Sequence, residues 1–222
     1  MAILLDKIIG HTTVREHFKT QMSHQRMHHA FLFVGPEGVG RKTMAFAIAQ
    51  ALLCRQGPPA CGTCPSCFAV ENMLFRGLTR SESILLIAPE KAQIKIEQAH
   101  EVRDFLHLQK LGKCRVVIID SADKLNQQAS NSLLKLIEEP PEETTFFLMA
   151  PTAQHVLSTI RSRSQAVPFS ALTPEQLRIK QPQASEWALR MAQGSLEKLK
   201  EMSEVSTAQA REIALSWIED WE

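Results

Sequence analysis

The sequence holds no apolar run of about 18 residues, so no transmembrane helix is read from it. Its start, Met1-Ala-Ile-Leu-Leu-Asp6, lacks the basic stretch and apolar core of a signal peptide. There is little net charge: +1 over 222 residues leaves no global field that would draw the chain to nucleic acid, and any such contact needs a local patch. Without a secretory leader, the five cysteines are expected to be reduced thiols with metal or core roles rather than disulfides, in a cytoplasmic protein. What is present is an ordinary globular composition, 44% hydrophobic and 22% charged, on a chain long enough for one or two domains.

Short apolar runs alternate with helical patterns. Phe31–Val34, Ile84–Ala88, Val116–Ile119 and Thr144–Met149 are expected to be buried strands, and Ala166–Phe169, which contains Pro168, a fifth strand at an edge. Nearly continuous apolar strands separated by helices imply a parallel sheet covered on both faces. Met44–Leu53 is a helix apolar on most sides, suited to packing against that sheet. Helical spacing also links Ile96, Ala99, Val102 and Leu106, and again Leu125, Ala129, Leu133 and Leu136, with Pro140-Pro141 ending the second helix. Thr173-Pro174-Glu175-Gln176 reads as a helix start, with Thr as N-cap, Pro at the first position and Gln closing a capping box. From there to Glu222 the pattern is helical. A domain boundary is expected near Ser170, giving domains at 1–170 and 171–222.

Between the first strand and its helix stands Gly35-Pro-Glu-Gly-Val-Gly-Arg-Lys-Thr43. A phosphate-binding loop reads G-x-x-x-x-G-K-[ST]; its glycines turn backbone N–H groups toward phosphate, its Lys meets the β/γ-phosphates and its Ser/Thr ligates magnesium. Gly35 and Gly40 stand at the right spacing, with Gly38 between them, but Arg41 stands where the Lys belongs, Lys42 where the Ser/Thr belongs, and Thr43 comes one residue late. A shift of one helical residue swings a side chain by about 100°, and Arg does not substitute freely for Lys at a tight site. Three readings stay open: a frame kept for packing, a site that binds nucleotide without hydrolysing it, and an active ATPase. Asp120 ends the third strand, where a Walker-B acid would hold magnesium, but Ser121 occupies the place of the Glu that orients water in a hydrolase. Asp123 lies too far along to replace it and reads as a helix cap or a solvated side chain.

Cys54, Cys61, Cys64 and Cys67 read C-x6-C-x2-C-x2-C. Four thiolates without His suit a closed tetrahedral structural zinc site; the alternative is three loop cysteines and one core cysteine with no shared role. Cys114, beside a strand, reads as a core or inert thiol. Arg161-Ser162-Arg163-Ser164 follows the fourth strand and reads as a basic surface turn, or as the source of an arginine finger acting in trans.

His29-Ala-Phe-Leu-Phe33 running into the glycine loop, the four-cysteine insertion, Ile-Ile-Asp120, Ser132-Leu-Leu-Lys-Leu-Ile-Glu-Glu-Pro-Pro141 and Ser162-Arg163-Ser164, in this order, resemble the AAA+ subunits of the bacterial DNA polymerase III clamp loader. Within them the resemblance is greatest to the delta-prime subunits, paralogues of the gamma/tau motor subunits, and it covers roughly residues 5–200. It implies an α/β P-loop AAA+ domain with a five-stranded parallel sheet and a zinc module at 54–67, then a small all-α lid domain, with the family's collar domain absent or truncated. It implies a subunit that does not turn over ATP within a DNA-directed DNA polymerase holoenzyme. Its partners would be gamma/tau and delta subunits, the sliding clamp and primer-template DNA. It places the sensor-1 position at Ala150 or Pro151, the sensor-2 position at Lys198, and on Arg163 the finger that completes a neighbour's ATP site. Gly35, Gly38, Gly40, Arg41, Lys42, Thr43 and Asp120 would form a degenerate nucleotide site. The rival functions are an active gamma/tau-like ATPase with a shifted Lys, and a zinc-dependent nucleic-acid module, the latter poorly served by a cysteine loop with few basic or aromatic residues.

Overall fold

A computed structural model describes residues 3–108 and 112–204. Its elements in chain order are α1 (Thr12–Ser23), β1 (Ala30–Val34), α2 (Arg41–Leu53), α3 (Pro65–Arg76), β2 (Ile84–Ile87), α4 (Ile96–His107), β3 (Arg115–Ile119), α5 (Gln127–Glu138), β4 (Thr144–Ala150), α6 (Ser158–Arg161), β5 (Gln165–Pro168), α7 (Pro174–Lys180), α8 (Glu186–Met191) and α9 (Leu196–Glu204). The five strands form one parallel sheet in the order β2-β3-β4-β1-β5. β5, with its Pro168, lies at the edge, where a missing backbone N–H costs no ladder bond. Among the described residues no helix is long and apolar enough to cross a membrane.

Alternation along the strands supplies two cores. In β1 and β4, Ala30, Leu32, Phe146, Leu148 and Ala150 join the face covered by α4 and α5. Phe31, Phe33 and Phe147 face the other way, where Phe18 of α1 meets Phe31 edge-on at a centroid distance of 4.9 Å and Phe31 stacks on Phe147 at 5.6 Å. Each buried Phe contributes about 1.5–3 kcal/mol, so this aromatic cluster fixes the register of the strands that carry the site. α2 is buried along nearly its whole length, as an almost uniformly apolar helix must be.

Two helices differ from the sequence reading. α5 begins after Asn126, whose side chain accepts from the Ala129 N–H at 2.8 Å. Leu125 therefore lies outside the helix, and the buried face is Ala129, Ser130, Leu133 and Ile137 rather than one ending on Leu136. Asp123 is neither a cap nor solvated: it sits in a 3-10 turn before α5, its side chain 9% exposed and 3.9 Å from Lys124. α3 begins at Pro65, at the end of the expected cysteine loop 57–66, and carries Cys67.

The chain divides into two compact units, one of residues 1–35 and 40–169, the other of 36–39 and 170–222. In the second, α7 starts on the Thr173 capping box with Pro174 in the first turn, and Leu172, Leu177, Ala188, Leu189, Ala192 and Leu199 form a separate small core. The expected helical continuation through 205–222 lies outside the described residues.

Candidate functional site

β1 delivers Gly35 to the carboxyl edge of the sheet, where the Gly35 N–H donates to the Ala150 carbonyl at 3.2 Å. A Cβ on Gly35 would stand 2.2 Å from the Phe169 carbonyl oxygen, so only glycine fits there. The tip of the turn, Pro36–Val39, belongs to the second unit. There the Gly38 carbonyl accepts from the Leu196 N–H at 2.8 Å, and a Cβ on Gly38 would lie 2.0 Å from Ser195 Oγ. Gly40 caps α2, and Arg41, its first residue, is 8% exposed.

Lys42 and Asp120 meet. Asp120 is held at the end of β3 by its N–H donating to the Ile87 carbonyl at 2.8 Å. Its Oδ2 lies 2.8 Å from Lys42 Nζ, with side-chain exposures of 44% for Lys42 and 25% for Asp120. The Ser/Thr and acid that would share a magnesium ion in a P-loop enzyme are here a cation and an anion paired with each other. Thr43 is half-buried one position further on. Ser121 follows Asp120 in a left-handed conformation, φ 63°, and offers no carboxylate. Ala150, the last residue of β4 and one of the two positions where the resemblance places sensor 1, presents a methyl group, and Pro151, the other, follows. Lys198 is exposed on α9, its N–H donating to Ser195 Oγ at 3.3 Å.

The four cysteines converge. Cys54 ends α2, Cys61 lies in the loop, Cys64 caps α3 and Cys67 is inside α3. All four Sγ atoms lie within 4.8 Å of one another, and Cys61 and Cys67 are 4.0 Å apart. A tetrahedral zinc at about 2.3 Å from each sulfur would set them roughly 3.8 Å apart, so the cage fits with a small contraction. The Thr63 hydroxyl, then the backbone N–H groups of Thr63 and Cys64, pull the Cys61 thiol down to about 6. Burial, with Cys64 and Cys54 beside it, pushes Cys67 up. Backbone supports lie behind the ligands: the Gln50 side-chain amide donates to the Cys67 carbonyl at 3.3 Å and Lys113 Nζ to the Cys54 carbonyl at 3.1 Å. Cys114 is half-buried just before β3 and outside the cluster.

Arg163 lies in the turn between α6 and β5. Its Nη1 donates to the Thr159 carbonyl at 3.0 Å and to Ser162 Oγ at 3.2 Å. Its Nη2 forms an ion pair with Glu138 Oε1 at 2.7 Å, and its side chain is 38% exposed. The pairing with Glu138 was not read from the sequence. Its signal is the Glu-Glu-Pro-Pro run, which stops α5 and fixes where that carboxylate emerges.

A parallel sheet in this order, a glycine turn between β1 and α2, and an acid ending β3 define a P-loop α/β fold of the AAA+ type. Two solved structures from Thermotoga maritima share the fold. One is a DNA polymerase III gamma-subunit-related protein, with TM-score 0.55 and 19% identity, covering 82% of this chain and 57% of that one. The other is the RuvB Holliday junction branch migration motor, with TM-score 0.57 and 16% identity, covering 89% and 62%. Residues 10–173 match the family model described as DNA polymerase III, delta subunit. The chain belongs to this family of DNA polymerase III clamp-loader subunits. Among named relatives, the DNA polymerase III subunit delta' of Escherichia coli K12 is 36% identical over 68% of this chain and 45% of its own length. The gamma/tau subunit of Mycobacterium tuberculosis H37Rv is 32% identical over 78% and 29%. The chain spans less than half the length of these relatives.

Proposed function

We propose that this chain is a non-hydrolysing clamp-loader subunit that lends Arg163 to the ATP site of a neighbouring gamma/tau subunit. The observation that carries the reading is the Lys42–Asp120 pair at 2.8 Å. A carboxylate engaged by a lysine at the position of the magnesium-binding hydroxyl is poorly disposed to hold magnesium, and Ser121 and Ala150 supply neither a carboxylate nor a polar side chain for a γ-phosphate. Arg163 by contrast keeps its guanidinium half-exposed on an outer turn. In this reading the P-loop frame positions elements rather than substrate, the chain docks beside gamma/tau with delta in the same assembly, and the assembly loads the sliding clamp on primer-template DNA. The second unit serves as the lid domain. The cysteine cage binds zinc, which holds the end of α2 to the start of α3 and takes no part in the chemistry.

The test is the assembly reconstituted from this chain and its gamma/tau and delta partners. An Arg163→Ala chain should lower DNA-stimulated ATP turnover at the site it completes, on the scale of 10³–10⁵-fold seen for arginine fingers in other NTPases. Unchanged turnover would sink the assignment.

A further inference from the structure

Glu138 is the last residue of α5, immediately before Glu139-Pro140-Pro141 ends that helix. Thr159 and Ser162, which accept from Nη1 of Arg163, belong to the segment that carries Arg163 itself. Glu138 comes from a different element and is the side chain that ties the guanidinium to the body of the fold. The base of that tie is firm: Ile137, Leu133 and Ala129 bury the inner face of α5, and Ile160 buries α6 in the same core. Glu138 therefore stands on a packed helix and Arg163 in the turn that follows one, while the pair itself is 41% and 38% exposed.

A half-exposed ion pair adds little to folding stability, because water screens it and two long side chains must be ordered to make it. What it does is remove rotamer freedom from Arg163. A free arginine on a surface turn samples many rotamers, and a finger that must reach a developing charge loses rate in proportion to the fraction of time spent elsewhere. Thr159, Ser162 and Glu138 occupy Nη1 and one side of Nη2, and among the described residues nothing else pairs with this guanidinium, so the rest of the fork stays available to an anion.

We infer that Glu138 is a positioning residue for Arg163, presetting the guanidinium for a phosphate group bound by a neighbouring subunit. This rests on the reading of Arg163 as a finger in trans. Glu138 touches no substrate and acts only through the arginine. A carboxylate serves better than a neutral acceptor because the bond is charge-assisted, but the geometry needs only an oxygen at the same place.

The experiment compares Glu138→Ala, Glu138→Gln, Arg163→Ala and the double Ala variant of this chain in the reconstituted assembly, reading kcat and KM for ATP separately. Expected for Glu138→Ala is a fall in kcat on the order of tenfold, below the ~10²-fold cost of a badly misplaced group, with KM unchanged. Glu138→Gln should recover most of the rate, and the double variant should be no slower than Arg163→Ala. On each isolated variant, the thermal midpoint checks the fold. The Arg163 Nε–H signal in a ¹⁵N spectrum should show slow guanidinium rotation in the parent chain and fast rotation in Glu138→Ala, a change that a merely structural role for Glu138 would not produce. If Arg163→Ala slows turnover while Glu138→Ala leaves it unchanged or faster, the positioning role is wrong and the finger stands. If Arg163→Ala has no effect, the finger reading fails and takes this inference with it.

Discussion

Two ion pairs of almost equal length sit in different settings. Lys42 and Asp120 meet at 2.8 Å between the start of α2 and the end of β3, and Arg163 and Glu138 meet at 2.7 Å between the α6–β5 turn and the end of α5. Exposure is similar in both, so neither is a major source of stability. The difference lies in what each pair does to its cation. At the first, the acid that a P-loop enzyme would reserve for magnesium is engaged by the lysine, and the site's charge is settled within the chain. At the second, the cation is oriented while part of its fork is left over. In one the lysine meets the acid that ends β3 beside the glycine turn; in the other the arginine meets an acid from the end of a neighbouring helix.

The largest expected effect comes from the far end of α2. Cys64→Ser should abolish stoichiometric metal binding, read by elemental analysis of the purified chain. Structural zinc sites supply apparent binding free energies of about 10–16 kcal/mol, much of it coupled to folding. The melting temperature should therefore fall on the order of 10 °C, since a chain of this size loses roughly 2–4 °C per kcal/mol. Hydrogen exchange should rise in α2, which carries Lys42, and in α3, but not in α5, which carries Glu138. Uniform loosening of both pairs would break the separation drawn between them. Metal affinity should also fall with falling pH, because each thiol must lose its proton to bind and Cys67, pushed up by burial, gives its proton up least readily.

A second, smaller effect bears on the α5 side. His29, just before β1, is held below its ordinary 6.5 by burial and then by the charge of His28, against a smaller opposing effect of the Ile137 carbonyl. The unfolded chain binds this proton more readily than the folded one, so His29 leaves stability untouched above pH about 6.5 and lowers it as pH falls through 6.5 toward the depressed folded value. Melting temperatures between about pH 7.5 and 5.5 should show this slope, and His29→Gln should flatten it. The least effect is expected for Lys42→Thr, which should change stability by no more than about 1 kcal/mol, or a few degrees in melting temperature. A larger loss would mean that the Lys42–Asp120 pair is a structural element rather than a neutralised site.

The sheet was legible in the sequence because buried parallel strands need unbroken apolar runs, and Phe31–Val34, Val116–Ile119 and Thr144–Met149 are such runs. The convergence of Cys61, Cys64 and Cys67 is legible because two overlapping C-x2-C turns leave the chain few ways to part them, and Cys54 joins them from the end of α2. The expected face of α5 ends on Leu136 and the observed one on Ile137: the two are adjacent apolar residues, and the helix start set by Asn126 decides which is buried. α3 was hidden because cysteine, proline and glycine around Cys61–Pro65 read as loop although Cys67, Val70 and Met73 already carry helical spacing. Neither ion pair could be read along the chain, since Lys42 meets Asp120 78 positions away and only the sheet order brings them together. Arg41, Lys42, Asp120 and Arg163 can each be picked out along the chain, but their pairings belong to the fold.

In the proposed function the chain's own P-loop does no chemistry. The most direct test is phosphate release by the purified chain with Mg·ATP in excess, beside an Asp120→Ala variant. No release above background is expected from either. Turnover by the parent chain that Asp120→Ala abolishes would contradict the proposed function.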